Sequence, residues 1–177
     1  MGEVRSALLT VASSALFSLV LTALLTSRTP WLEDANGITL AWLMLASAPI
    51  LHELAHRTVF RMYGVKAEIA SPLRSLLSFG GAVWVPEPVH PAAALKGAVA
   101  GPLFTLAYTL AALTLSQWFK PLSLVAVVLS ATVIASGAPF STDAKYMNLA
   151  WRVGFVAAGA ALLALSLYTT AYLIKYG

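Results

Sequence analysis

Long apolar runs separated by short polar breaks dominate the hydrophobic pattern of this chain. Five runs approach the length of a membrane-crossing helix. They cover roughly Val4–Thr26, Ile38–Phe60, Pro91–Gln117, Leu122–Pro139 and Met147–Ile174. A helix of about 20 residues crosses a hydrocarbon core of about 30 Å, and each run comes near that length. The pattern therefore predicts an all-α polytopic membrane protein with about five or six transmembrane helices.

The segment between the second and third runs differs from its neighbours, because it is rich in glycine and proline. Ser78 to Pro86, which reads SFGGAVWVP, is typical of a short strand entered through Gly80 and Gly81. Val65 to Ala70 alternates well enough to be its partner. We therefore expect a small membrane-associated β element here. Since no internal repeat is visible, residues 1–177 are expected to form one membrane-embedded domain.

Composition agrees with lipid as the solvent. Of the 177 residues, 59% are hydrophobic and 10% are charged, whereas soluble domains carry about 25% charged residues. The net charge of +4 comes from scattered lysines and arginines with no basic run, which argues against a nucleic-acid partner. The absence of cysteine excludes disulfides and thiolate metal sites. The expected surroundings are a lipid bilayer.

The distribution of basic residues predicts an orientation. If all five runs cross the membrane, most of the eleven lysines and arginines fall on one side. That side holds Arg5, Arg57, Arg61, Lys66, Arg74, Lys96, Lys145 and Arg152, and the other holds Arg28, Lys120 and Lys175. The positive-inside rule then places the N-terminus in the cytoplasm and the C-terminus outside. We expect a prokaryotic cell membrane.

A polar cluster interrupts the second run, where residues 52–56 read HELAH. On a helix, His52 and His56 lie on one face, and two such imidazoles can bind one Zn²⁺. Glu53 would lie beside the open coordination position and act as general base on water. The 14 uncharged residues before His52 extend about 21 Å, so the cluster is expected inside the membrane. Ionisable side chains there are costly and usually functional.

A catalytic zinc takes three protein ligands and one water, so a third ligand is needed. Asp143 follows the fourth run and returns to roughly the depth of His56. It can instead cap the last helix, because Ser141, Thr142 and Asp143 are all good N-cap residues. His90, which stands in the loop sequence PVHP, is a rival ligand or a solvated residue. Asp143 is the stronger candidate.

Together these residues resemble the site-2 protease family of intramembrane zinc metalloproteases. The similarity runs from about Pro49 to Trp151 and rests on HELAH, FGGAVWVP, AGPLFT and PFSTDA, in that order. The resemblance implies that Asp143 completes the zinc site and that the substrate is a transmembrane segment of another membrane protein. Two motifs depart from the family pattern: GPxxN ends in Thr105 instead of Asn, and the LDG-like motif has Ala144 instead of Gly.

Four glycines and one hydroxyl residue carry further expectations. The strand entered through Gly80 and Gly81 can pair with an unwound substrate by β-addition, or it can be a plain structural hairpin. Thr105 keeps a hydroxyl that can donate a hydrogen bond to substrate. The GxxxG pattern of Gly97 and Gly101 should let another helix approach the third run closely.

Two other functions compete with proteolysis. One is a membrane homologue that keeps the zinc site for structure or for partner binding. The other is a metal-ion transporter, but transporters usually scatter polar residues over several spans and show internal repeats. Here the polar residues concentrate at one depth. The favoured hypothesis is a zinc metalloendopeptidase with one Zn²⁺ per chain.

Overall fold

The computed structural model describes residues 2–27, 29–31, 34–70, 82–85 and 88–176. Within them the chain forms five α-helices, joined in one place by a short 3-10 turn, Asp143–Tyr146. The helices are α1 (Gly2–Thr26), α2 (Ala35–Met62), α3 (Pro91–Leu115), α4 (Leu122–Gly137) and α5 (Leu149–Tyr176). Each helix falls on one of the five apolar runs. The predicted helical architecture is confirmed.

Three of the described helices, α2, α3 and α5, are long and apolar enough to cross a membrane, with 28, 25 and 28 residues. Their length and composition indicate a membrane protein. By contrast, α4 has 16 residues and is about 24 Å long, less than a hydrocarbon core of about 30 Å. The expected count of five or six spans goes beyond these three helices and stays a prediction.

Between α2 and α3 the described residues form two short antiparallel strands, β1 (Glu68–Ala70) and β2 (Ala82–Trp84). Each lies inside one of the two segments that the sequence marks for a strand. The pair lies against α1 and α2. Gly80 and Gly81, which were expected to contact substrate, lie outside the described residues. The membrane association of this ladder and its pairing with substrate stay predictions.

Helices that are neighbours in the sequence pack against each other through small and polar residues. Along α1, buried hydroxyl residues recur at every fourth position: Ser14, Ser18, Thr22 and Thr26. Ser14 Oγ donates a hydrogen bond to the carbonyl of Ala46 on α2 at 2.7 Å, and Ser47 Oγ lies 2.8 Å from Tyr108 Oη on α3. In lipid, helix association depends on such close packing and interhelical hydrogen bonds.

The contact between α2 and α3 positions the polar cluster. A Cβ placed on Gly97 would collide with the ring of Phe60, and a Cβ on Gly101 would collide with His56 and would lie 2.6 Å from His52 Nε2. Only glycine at both positions lets the α3 backbone approach this closely. The GxxxG pattern therefore faces the histidines of α2.

Candidate metal centre

His52 and His56 lie one turn apart on α2 and face α3. Their Nε2 atoms are 3.0 Å apart, and the two ring planes meet at 77°. The side chains are 14% and 5% exposed, respectively. The four-residue spacing puts both rings on one face of the helix, and their ring nitrogens converge there.

Asp143 reaches the same point from the 3-10 turn that follows α4. Its Oδ1 lies 3.4 Å from His56 Nε2, and its Oδ2 lies 3.6 Å from His52 Nε2. The last helix has a different cap: Asn148 Oδ1 accepts a hydrogen bond from the backbone N–H of Trp151 at 3.1 Å. The carboxylate of Asp143 is therefore directed at the histidines and does not serve as the cap of α5.

The other ring nitrogen of each histidine is held by α3. His56 Nδ1 donates a hydrogen bond to the carbonyl of Gly97 at 2.6 Å. Since a backbone carbonyl can only accept, neutral His56 carries its proton on Nδ1 and has a lone pair on Nε2. His52 Nδ1 lies 2.8 Å from Thr105 Oγ1. Such outer hydrogen bonds are typical of histidines that bind metals.

The three side chains fit a single metal ion. Among the described residues, one ligand atom from each of His52, His56 and Asp143 lies within 4.8 Å of the other two. Ligand bonds of about 2.0–2.1 Å at tetrahedral angles would place donor atoms about 3.3 Å apart. The two Nε2 atoms are 3.0 Å apart, and the two carboxylate oxygens of Asp143 lie 3.4 and 3.6 Å from their nearer histidine nitrogens, so all three separations are close to that value. Two nitrogens and a carboxylate that meet in this way can bind a metal ion.

The remaining predicted residues have different surroundings. Glu53 is partly buried on α2, about 100° around the helix from His52, and its carboxylate is not in the group of three. Thr105 is buried in the seam between α2 and α3, where it contacts His52. His90 is exposed and caps α3, with its Nδ1 accepting from the N–H of Ala92 at 3.3 Å. Catalysis by Glu53 and substrate binding by Thr105 stay predictions.

The structure gives the α3 glycines a role that the sequence did not reveal. Gly101 is where the backbone of α3 meets both imidazoles, and Gly97 supplies the carbonyl that holds His56. One signal for this was available. The glycines are four residues apart, as the histidines are, so each glycine on α3 can lie opposite a histidine on α2 when the two helices pack side by side.

No family model, curated protein or solved structure matches this chain. The resemblance to site-2 proteases therefore rests on the motifs themselves and on their order in the sequence.

Proposed function

We propose that this protein is an intramembrane zinc metalloprotease that hydrolyses peptide bonds within or near the transmembrane segments of other membrane proteins. One observation carries the proposal. His52, His56 and Asp143 bring three ligand atoms together, and the two histidines belong to a helix that is long and apolar enough to cross a membrane. Ionisable groups in such a helix are costly, so those that are present usually have a function.

The composition of the ligand group supports a catalytic zinc site. Catalytic zinc takes three protein ligands, often two histidines and a carboxylate, and leaves a fourth position open, whereas structural zinc has four protein ligands. The group found among the described residues has three members. Its carboxylate is 19% exposed, which leaves one side accessible. A bound zinc ion would supply Lewis-acid activation of water and of the peptide carbonyl.

Glu53 is the proposed general base. Its carboxylate accepts a proton from the attacking water and later delivers that proton to the nitrogen of the leaving amine. The adjacent position of Glu53 and His52 on α2 keeps the carboxylate near the ligands. Peptide hydrolysis also needs an unwound substrate segment. The strand that the sequence predicts to be entered through Gly80 and Gly81 is the proposed partner for that segment through β-addition.

The proposed location is a prokaryotic cell membrane, with the N-terminus in the cytoplasm and the active site nearer the cytoplasmic side. His52 lies in the half of α2 that ends at Met62, and Arg57 and Arg61 follow it on the same helix. The positive-inside rule assigns such an end to the cytoplasm. In this arrangement all five helices cross the bilayer.

A non-proteolytic membrane homologue that keeps the zinc site for structure or partner binding is the second candidate. One observation favours it. Thr105, which stands where the family motif GPxxN has Asn, is only 3% exposed and contacts His52. Here the hydroxyl contacts a proposed metal ligand, which suits a site that is kept for its metal.

One experiment separates the two candidates. The full-length protein and its Glu53→Gln variant are purified in detergent, bound zinc is measured by elemental analysis, and both are incubated with a panel of membrane-protein substrates. Zinc near one per chain in both, with cleavage only by the wild type, supports the protease. Zinc in both without any cleavage supports the homologue. A wild-type protein that takes up no zinc even on reconstitution refutes the metal site.

A further inference from the structure

We infer that Thr105 is a positioning residue of the metal centre, whose hydroxyl stabilises the His52 tautomer that can bind metal. The inference rests on the metal site of the proposed function and gives Thr105 a role other than substrate binding. Three contacts carry it: His52 Nδ1 to Thr105 Oγ1 at 2.8 Å, Thr105 Oγ1 to the Gly101 carbonyl at 3.1 Å, and the His52–His56 contact.

Proton counting fixes the metal-binding arrangement. A histidine that binds metal through Nε2 carries its ring proton on Nδ1. For His52 that proton points at Thr105 Oγ1, which must then accept it. The hydroxyl has one proton of its own, and the Gly101 carbonyl, which can only accept, lies within reach to take it. Thr105 thus accepts from His52 and donates to Gly101 at the same time.

The same hydroxyl also fits the metal-free arrangement. His56 Nε2 carries a lone pair because the Nδ1 proton of His56 is given to Gly97. Without a cation, His52 therefore places its proton on Nε2, between the two rings at 3.0 Å. Its Nδ1 then accepts from Thr105, which makes one hydrogen bond. If His52 bound a metal through Nε2, its single ring proton would move from Nε2 to Nδ1, and the hydroxyl would accept from Nδ1 and donate to the Gly101 carbonyl. Thr105 makes two hydrogen bonds in that arrangement and therefore favours it.

Burial makes the hydroxyl hard to replace. Thr105 is 3% exposed and the side chain of His52 is 14% exposed, so water has little access to their contact. Valine has the shape of threonine but cannot accept a hydrogen bond, and it would leave the Nδ1 proton of His52 without a partner. Serine keeps the hydroxyl and loses only a methyl group.

The test compares the zinc dissociation constants of full-length variants in detergent, measured by competition with a chelating indicator. We expect Thr105→Val to bind zinc about 10- to 100-fold more weakly, as is typical when a metal-binding histidine loses its outer partner. Thr105→Ser should restore most of the wild-type affinity. Thr109→Val is the matched control, because Thr109 is buried one turn away on the same face and donates only to the carbonyl of Thr105.

A second measurement does not depend on the variants. In the zinc-loaded wild type with ¹⁵N-labelled histidine, NMR should detect a slowly exchanging proton on Nδ1 of His52. A rapidly exchanging proton there would overturn the inference even if Thr105→Val failed to fold. Wild-type affinity in Thr105→Val, or equal weakening in the serine variant, would also overturn it. A wild type that binds no zinc would instead refute the proposed function.

Discussion

Replacing Gly101 by alanine should weaken the metal centre by adding one methyl group. An ideal Cβ at this position would lie 2.6 Å from His52 Nε2 and closer still to His56 Nε2. Ordinary contacts begin at 3.4 Å, so the gap between α3 and His52 must open by about 0.8 Å, the difference between the two distances. Both ligands stand directly in the path of the methyl group.

The size of that displacement sets the expected effect. Metal–ligand distances tolerate about 0.2 Å, so the two helices would have to separate by about four times that tolerance. Overpacking of this kind costs about 1–3 kcal/mol. Where that cost falls on the arrangement that holds both histidines at the metal, it corresponds to about 5- to 140-fold weaker zinc binding. Helix propensity acts in the opposite direction, because alanine favours a helix over glycine by about 1 kcal/mol. A loss of affinity therefore reports the steric contact.

Gly154→Ala provides the matched control. Gly154 lies in α5, and a Cβ placed there meets nothing within 4 Å. Both variants are dialysed against a graded series of chelator concentrations, and bound zinc and thermal unfolding are measured in detergent. We expect Gly154→Ala to match the wild type in zinc binding. Wild-type zinc affinity in Gly101→Ala would refute the close contact between the α3 backbone and the two histidines.

Four other predictions test the rest of the site. Asp143→Ala removes the only oxygen ligand of the group. It should weaken zinc binding by more than about 100-fold, the upper end of the loss that follows removal of a ligand's hydrogen-bond partner, whereas His90→Ala should not change the affinity. Chelation of zinc should lower the free energy of unfolding by about 2.7 kcal/mol relative to protein at a free zinc concentration of 100 times Kd. Thermal unfolding measures this difference, and Asp143→Ala should not show it. Glu53→Gln should reduce cleavage about 10²- to 10⁴-fold with zinc content unchanged, and a variant that cleaves at the wild-type rate would exclude Glu53 as the base. Tyr108→Phe removes the 2.8 Å hydrogen bond to Ser47 and should lower the free energy of unfolding by about 0.6 kcal/mol. Zinc affinity should stay the same, and a change in it would show that this hydrogen bond is coupled to the metal centre.

The helices were predictable because the hydrophobic runs are long, but their ends were less so. The second run was expected from Ile38 to Phe60, whereas α2 spans Ala35–Met62. Its start is set by Asp34, whose Oδ1 accepts a hydrogen bond from the N–H of Gly37 at 2.8 Å. Backbone hydrogen bonds continue past the last apolar residue until a cap ends them, so hydropathy alone misplaces the boundary.

The metal ligands could be proposed from local sequence patterns, whereas the α3 residues that hold the histidines in place could not. The spacing of His52 and His56 is a property of one helix, so the sequence displays it directly. The contacts of Gly97 and Thr105 depend on how α3 is rotated about its axis. In a membrane helix the lipid-facing and buried sides are both apolar, so hydrophobic contrast does not mark the packed face. The rotation of α3 could therefore be learned only from the structure.

The order of the ligands along the chain has a consequence for biosynthesis. His56 belongs to the second helix, but Asp143 lies 87 positions later, beyond α3 and α4. A ribosome therefore makes the histidine pair first, then the backbone that orients it, and the carboxylate only after α4. A nascent chain that stops before α4 is complete has two of the three ligands. The three ligands can therefore meet only after α4 and the turn that follows it have been synthesised.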